Sequence, residues 1–471
     1  MSTLSLITTT GGHTTLGETA VRQLQANLRG ELLLPDNDKY EETRKVWNGM
    51  VDKRPALIAR CAGMVDVVAA VTFARDQDLL VSVRGGGHSV AGKAVCNGGL
   101  MIDLARMKEV KIDPGTRTAH VEGGSLLGDL DRATQAFGLA TTAGVVTHTG
   151  VAGLTLGGGV GRLAHKYGLA CDNLLSVDLV TAEGRVLKAS TTENADLFWG
   201  IRGGGGNFGI VTTFEFQLHP VGPGVLGGTV IYPMAKARAA LKFYYEYSQT
   251  APDEVSTDAF LLTLPNGDQA FAIDVCYIGP MEQGERVLHP LRKFGPPLVD
   301  QIGPTAYINL QASGDAFFPP GLHYYYKSHF MKEISDEAIE ALVTHFRLVP
   351  SPRSLMIFQQ YGGAVSRVGQ ADTAFGHREA QYNFIPASAW TDPTESERHL
   401  QWVREAWDIM RPFSTGGVYV NNLAEEGEDQ VRAAYGPHYD RLVAVKNKYD
   451  PINFFRLNAN IKPTVLSLIH I

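Results

Sequence analysis

Basic runs are missing from this sequence, as are cysteines at metal spacing and any long apolar segment. The 42 Lys and Arg residues against 49 Asp and Glu leave a formal charge of -7, which argues against a nucleic-acid or anionic-membrane partner. Small molecules are the expected ligands. Only four cysteines occur, Cys61, Cys96, Cys171 and Cys276, with no CxxC pair and no Cys/His cluster. Buried free thiols and no metal site are therefore expected. Nowhere do about 18 apolar residues run together, and the start MSTLSLITTTGGHTTLGETAV lacks a basic stretch followed by a sustained apolar one. Asn-x-Ser/Thr triplets are absent. The expectation is a cytoplasmic protein with no membrane partner. Oligomeric state is not legible from these features.

What the chain has in quantity is glycine, 51 residues in 471. Three runs stand out: Gly85–Gly87 in VRGGGHSVAG, Gly157–Gly161 in GVAGLTLGGGVG, and Gly203–Gly206 in GIRGGGGNFG. Glycine inside regular structure costs about 0.5 to 1 kcal/mol relative to alanine, so clusters beside strands point to close approach of a ligand to backbone. A dinucleotide fingerprint fits poorly, because no acidic residue stands clearly about 20 positions after the second run. A P-loop GK[ST] is absent.

The length implies two domains with room for a large cofactor. From 56 to 107, ALIARC, MVDVVAAVTFARDQ, LLVSVRG and GGLMIDLARM read strand, helix, strand, strand. RTAHVEGG alternates as a strand, and SLLGDLDRATQAFG reads as a helix with Ser125 as N-cap. LLSVDLVTAEGRVLKAS reads as two strands turned at Glu183-Gly184. After HPVGPG the strands lengthen and alternate with amphipathic helices, as in an antiparallel sheet with helices on one face. The closing LSLIHI, 466–471, reads as the translation of a sequencing-library adapter, an assembly scar, and is set apart from fold reasoning.

VRGGGHSVAG, GVAGLTLGGGVGRLAHKYGLACDNLLSVDLVTAEG, DLFWGIRGGGGNFGIVTTFEF and YDPINFFRLNANI, in that order, resemble the flavin-binding oxidoreductases related to berberine bridge enzyme, within the vanillyl alcohol oxidase superfamily. The resemblance covers nearly the whole chain. It implies an α+β, two-domain flavoprotein: an FAD-binding domain over 1–218, a substrate domain over 219–415, and a C-terminal return to the first domain over 416–465.

By that resemblance His88 carries a covalent bond to the 8α carbon of FAD, a role that suits a neutral imidazole nucleophile. Arg84, Gly85, Gly86, Gly87, Ser89 and Gly92 accompany it, the glycines clearing space for the pyrophosphate. Many relatives attach the flavin a second time through a cysteine, but Val146 stands at that position, which implies a single linkage. Gly144, Val146, Thr149, Gly150, Gly153 and Leu154 are expected near the flavin ring. Thr149 occupies the position that governs oxygen access in relatives and leaves oxidase against dehydrogenase open. Asn173 is expected near the diphosphate, Gly209, Ile210 and Val211 on the adenine and ribose side, and Asn458 as a terminal flavin contact. Asn207 reads as a turn residue.

Tyr419 matches a family tyrosine that faces the flavin and removes a hydroxyl proton. With an ordinary pKa near ~10 it needs help to act as a base at pH 7. Asn421 is expected as a ring or substrate ligand. In the substrate domain, alternation separates Gln360 from Gln359 and Tyr382 from Asn383 without saying which face points inward. Gln360 and Tyr382 are carried as candidates. No glutamate stands at Tyr382-Asn383-Phe384-Ile385, which lowers C–C bond closure as the reaction. Tyr324-Tyr325-Tyr326 border the entrance or pack in a strand. The expectation is an oxidase acting on a carbohydrate or other alcohol, with O2 as acceptor and H2O2 as product. Its alternatives are a dehydrogenase, an enzyme of amines or secondary-metabolite intermediates, and a flavin-retaining binding protein without turnover.

Overall fold

Two sheet systems and a large nine-stranded sheet organise the computed structural model, which describes residues 4–424 and 427–464. Residues 465–471, the closing LSLIHI among them, lie outside the described residues. In the N-terminal half, Leu57–Arg60, Leu100–Asp103 and Val81–Arg84 pair in parallel, with Glu31–Leu33 antiparallel at the edge. The helix Met64–Asp76 makes the crossover between two of these strands, burying Val67, Ala70, Val71 and Ala74. Beside it, Val186–Ser190, Leu174–Val180, Ile210–Gln217, Thr118–Glu122 and Val110–Asp113 form an antiparallel sheet in that order. The turn at Glu183-Gly184 joins the first two, with Gly184 at φ +77°.

Ser125 does not cap the helix Leu127–Gln135. Leu126 holds the cap position, Asp129 accepts from the Leu126 amide at 3.0 Å, and the Ser125 hydroxyl is buried without a partner. An acid in the first turn satisfies an orphan N–H as a serine cap does.

The nine-stranded sheet runs antiparallel through Gly224–Pro233, Gln269–Tyr277, Val255–Thr263, Leu355–Gln360 and Tyr382–Trp390. Helices Ala237–Thr250, Met281–Lys293, Asp336–Phe346 and Ser396–Met410 share one core with it, built from residues such as Leu241, Tyr244, Leu288, Leu342, Phe358 and Trp402. Helices cover one face, as the alternation implies. The other face is left to form a wall.

Helices Glu428–Tyr435 and Tyr439–Tyr449 bring the chain back to the first half, where Tyr435, Leu442 and Val445 pack with Leu197, Phe198 and Phe208. Lys446 fastens this return. Its fully buried ammonium donates to Asp450 at 2.5 Å, to the Asn207 carbonyl at 2.8 Å and to the Phe455 carbonyl at 3.0 Å. A buried charge is tolerated because its partners are complete. Among the described residues no helix is long and apolar enough to cross a membrane, and all four cysteines are free and buried.

Candidate active site

The uncovered face of the large sheet and the glycine-rich loops enclose a cavity of about 1150 Å³. That exceeds the ~300–1,000 Å³ of ordinary small-molecule sites, so there is room for a large cofactor with a substrate beside it.

On the sheet side, side chains alternate strictly. Leu355, Ile357 and Gln359 from one strand and Ile385 and Ala387 from its neighbour line the cavity. Gln360 and Tyr382 point the other way, into the helix layer. Tyr382 bonds Ser248 at 2.5 Å and accepts from Gln249 at 2.8 Å, both on the helix Ala237–Thr250. The Gln360 amide oxygen accepts from Thr257 N–H and Oγ1 at 2.9 and 2.8 Å. Neither residue reaches the cavity, so both expectations are corrected: the helix layer decides which face turns inward, and strand alternation alone does not carry that information.

Five strands contribute one polar row to the inward face. Thr229 stands beside Asp274, Asp274 beside Asp258, Asp258 beside Gln359, and Gln359 beside Asn383. Arg162, from the loop after the second glycine run, pairs with Asp274 and donates to Ser313 Oγ at 3.0 Å. Asp258 is half-buried, but what it faces is the cavity rather than bulk water. Burial, with Asp274 next to it, pushes its carboxyl up to about 7. The sequence reading missed this row. Its signal was a lone acid inside each of two apolar strands, AFAIDVCYIG and STDAFLLT, where an unpaired charge is costly unless a partner or ligand meets it.

On the loop side, Gly85, Gly86, Gly87, His88 and Ser89 line the cavity just past the strand Val81–Arg84. The glycines answer first to the protein itself: a Cβ on Gly86 would run into the Gly150 backbone, and one on Gly150 into that of Gly86. Two chain segments cross there with no room for a side chain. His88 stacks on Trp47 with centroids 4.2 Å apart, and its Nε2 meets His148 Nδ1 at 3.2 Å. Burial, with His148 adding to it, lowers His88 to about 3, so the imidazole is neutral over the working pH range.

Tyr324 lies behind this group, stacked on Trp47 at 3.8 Å, while Tyr326 lines the cavity. Tyr325 turns to the helix side, under Arg404. The three tyrosines thus divide between packing and cavity wall.

Tyr419 comes from the C-terminal segment and is 5% exposed. Its oxygen accepts from the Gly159 amide at 3.0 Å and from Asn421 Nδ2 at 2.9 Å. Burial raises the phenol and these two donors pull it part of the way back, leaving it at about 12. Gly157 is needed here because a Cβ would collide with the Asn421 amide.

Of the other expected residues, Gly144, Val146, Thr149, Gly150, Gly153, Leu154, Gly209, Ile210, Val211, Asn421 and Asn458 all line the cavity. Three do not. Arg84 is turned back into a two-pronged pair with Asp103 at 2.8 and 2.7 Å, because a guanidinium at a strand end finds its best acceptor in the neighbouring strand. Gly92 makes a turn at φ +61°. Asn173 ties Tyr167 and Leu169 carbonyls to His219 and is spent on the loop. Asn207, read as a turn residue, is a buried clamp joining Gly204, Ala459 and Ile461.

The residues present fit FAD. Cβ atoms at Gly153 and Gly206, both on the cavity wall, would meet no protein atom, so the surface is shaped to leave space there. The Asn458 amide oxygen is buried beside the cavity without a partner. Residues 55–190 match the family described as FAD binding domain, and residues 418–462 the one described as berberine and berberine like. An FAD-linked oxidoreductase of Dictyostelium discoideum is 36% identical over 94% of this chain and 97% of its own length. Crystalline 6-hydroxy-D-nicotine oxidase from Arthrobacter nicotinovorans superposes with a TM-score of 0.86 at 30% identity, covering 92% of this chain and 98% of that one. A carbohydrate oxidase from Microdochium nivale gives 0.84 at 27%, covering 95% of this chain and 100% of that one. The chain belongs to the berberine bridge enzyme-like family of FAD-linked oxidoreductases.

Proposed function

We propose that this enzyme is an oxidase of a hydroxyl-bearing carbon, in a carbohydrate or other alcohol, holding FAD by one covalent bond at His88. The observation that carries the reaction is the setting of the Tyr419 oxygen: it stands at the cavity wall and accepts two hydrogen bonds. Those donors stabilise the phenolate where burial opposes it, and it is in that form that Tyr419 receives the substrate's hydroxyl proton. Asn421 holds Tyr419 in place and is itself anchored to the Leu154 carbonyl at 3.0 Å. FAD, when bound, supplies the two-electron acceptor for hydride and passes the electrons to dioxygen. Gln359, with the rest of the polar row, orients the hydroxyls of the substrate, and proximity is the protein's main contribution. The carbohydrate oxidase neighbour supports this substrate class.

The test is anaerobic mixing with a panel of sugars and alcohols, followed by admission of air. Bleaching of the flavin and then rapid peroxide formation is the expected result. Bleaching by amines alone would sink the hydroxyl reading, and reoxidation over minutes would sink the oxidase reading.

Asp258 favours a second reading, in which the substrate is an amine held as a cation, and the hydroxynicotine oxidase neighbour supports it. Because its carboxyl sits at about 7, Asp258 is neutral below that pH and charged above it. Cationic substrates should therefore bind more tightly as pH rises through 7. Asp258→Asn is expected to raise their KM by roughly 10- to 100-fold, as for the loss of a hydrogen bond to a charged group, and to abolish that pH dependence. Steady-state KM at pH 6 and pH 8 checks both. In the apoprotein the sign for stability is opposite: a carboxyl raised from 3.8 to about 7 by folding supports the fold fully only below 3.8, and that support is lost progressively as pH rises from there to about 7.

Single attachment rests on Val146, which lines the cavity with no nucleophile, and on the absence of any cysteine from the cavity wall among the described residues. Intact mass of the denatured protein is expected to exceed the chain mass by one FAD. A second bond to the same flavin would show as a flavin-bearing cysteine peptide after digestion and would contradict this.

A further inference from the structure

His148 has no part in the reaction derived above, yet its ring is set against that of His88. Their centroids are 5.1 Å apart at an interplanar angle of 34°, and His88 Nε2 meets His148 Nδ1 at 3.2 Å. One of these nitrogens must carry the shared proton. Thr147, next in the chain, is fixed to the Asp315 carboxylate through its amide at 2.8 Å and its hydroxyl at 2.5 Å, which holds both the loop and the carboxylate near the His148 ring. Trp47 closes the other side of His88 and is itself held by a bond from Nε1 to the Phe318 carbonyl at 2.9 Å. The His88 ring is thus gripped between a flat apolar face and a second imidazole.

We propose that His148 is the proton acceptor for covalent attachment of FAD at His88, an assignment that rests on the His88 tether proposed above. With Nε2–H donating to His148, the lone pair of His88 Nδ1 is left to form the new bond to the flavin 8α carbon. Bond formation removes one proton from the 8α methyl group and one from the imidazole. The imidazole proton passes from Nε2 to His148 Nδ1. Two electrons and the methyl proton remain with the isoalloxazine, leaving it reduced, and dioxygen takes up the electrons with that proton and the one on His148 as hydrogen peroxide, which restores the oxidised cofactor. Burial works against a proton on His148, but the Asp315 charge and the Phe318 carbonyl favour one, which is the balance a transient acceptor needs. His148 acts through His88 and is a positioning residue for the finished enzyme.

The test follows covalent incorporation rather than turnover. The full chain is produced under riboflavin limitation as wild type, His148→Ala, His148→Asn and His88→Ala, then mixed with FAD. Protein-bound flavin fluorescence after denaturing electrophoresis is read over time, and quenching of free FAD reports non-covalent binding. Asparagine can accept the hydrogen bond from His88 but cannot hold the proton, so it separates proton transfer from mere alignment. Both His148 variants are expected to bind FAD yet incorporate it at least tenfold more slowly, with added imidazole restoring the rate of His148→Ala. Incorporation by His148→Asn at the wild-type rate, or no rescue by imidazole, overturns the assignment to His148. Wild type without covalent flavin would instead overturn the tether itself.

Discussion

Tyr419→Phe is expected to lower kcat on a hydroxyl substrate by roughly 10²- to 10⁴-fold, the usual contribution of a positioned acid or base, which corresponds to about 3 to 5 kcal/mol of barrier. The ring keeps its packing against Phe330 and Phe375, so the cavity wall survives and the loss falls on kcat rather than KM. Some destabilisation accompanies it. The Gly159 amide and Asn421 Nδ2 lose their acceptor, at about 1–3 kcal/mol for each group left unsatisfied. The pH profile separates chemistry from damage. Because Tyr419 is pushed up to about 12, it gives the profile no inflection between pH 6 and 9, only the steady rise of its phenolate form. Any limb of the rate near 7 belongs to another group, with Asp258 the candidate on the cavity wall. Tyr419→Phe should therefore keep that limb at reduced height. A variant with nearly full kcat would end the assignment of the proton to Tyr419.

The same residues show what was legible in the sequence and what was not. The glycine-rich loops and the C-terminal motif declare themselves because glycines packed against backbone, as at Gly86 and Gly150, admit no substitute. His88, Tyr419 and Asn421 stand together on the cavity wall because their motifs fix the local chain path. Gln360 and Tyr382 fail for a different reason. Alternation sorts Gln359 with Asn383 and Gln360 with Tyr382, but only the docking of the helix Ala237–Thr250, which offers Ser248 and Gln249 to Tyr382, selects the inward set. Arg84 and Asn173 are polar residues beside a cofactor motif whose hydrogen-bonding capacity is consumed by neighbouring strands and loops. The row from Thr229 to Asn383 is assembled from five strands far apart in sequence. No motif can contain it, since register across a sheet exists only after the strands pair.

His88→Ala is expected to abolish covalent flavin entirely, so that acid-precipitated protein is colourless and the yellow supernatant carries all the FAD. The larger consequence is thermodynamic. A tethered cofactor is always present, whereas a free one stabilises the fold only by mass action, about 2.7 kcal/mol when FAD stands at 100 times its Kd and nothing when it is absent. The Tm of His88→Ala should therefore climb with added FAD while that of the wild type stays fixed. Loss of the stack on Trp47 contributes a further deficit of about 0.5–1.5 kcal/mol that no amount of FAD restores. These two components separate in one titration: the plateau at saturating FAD reports the lost packing, and the slope below it reports the lost tether. Flavin that stays with the precipitate of His88→Ala would place the bond on another residue. With Val146 unable to form it and all four cysteines buried, such a result would leave no cavity-lining cysteine among the described residues to take its place.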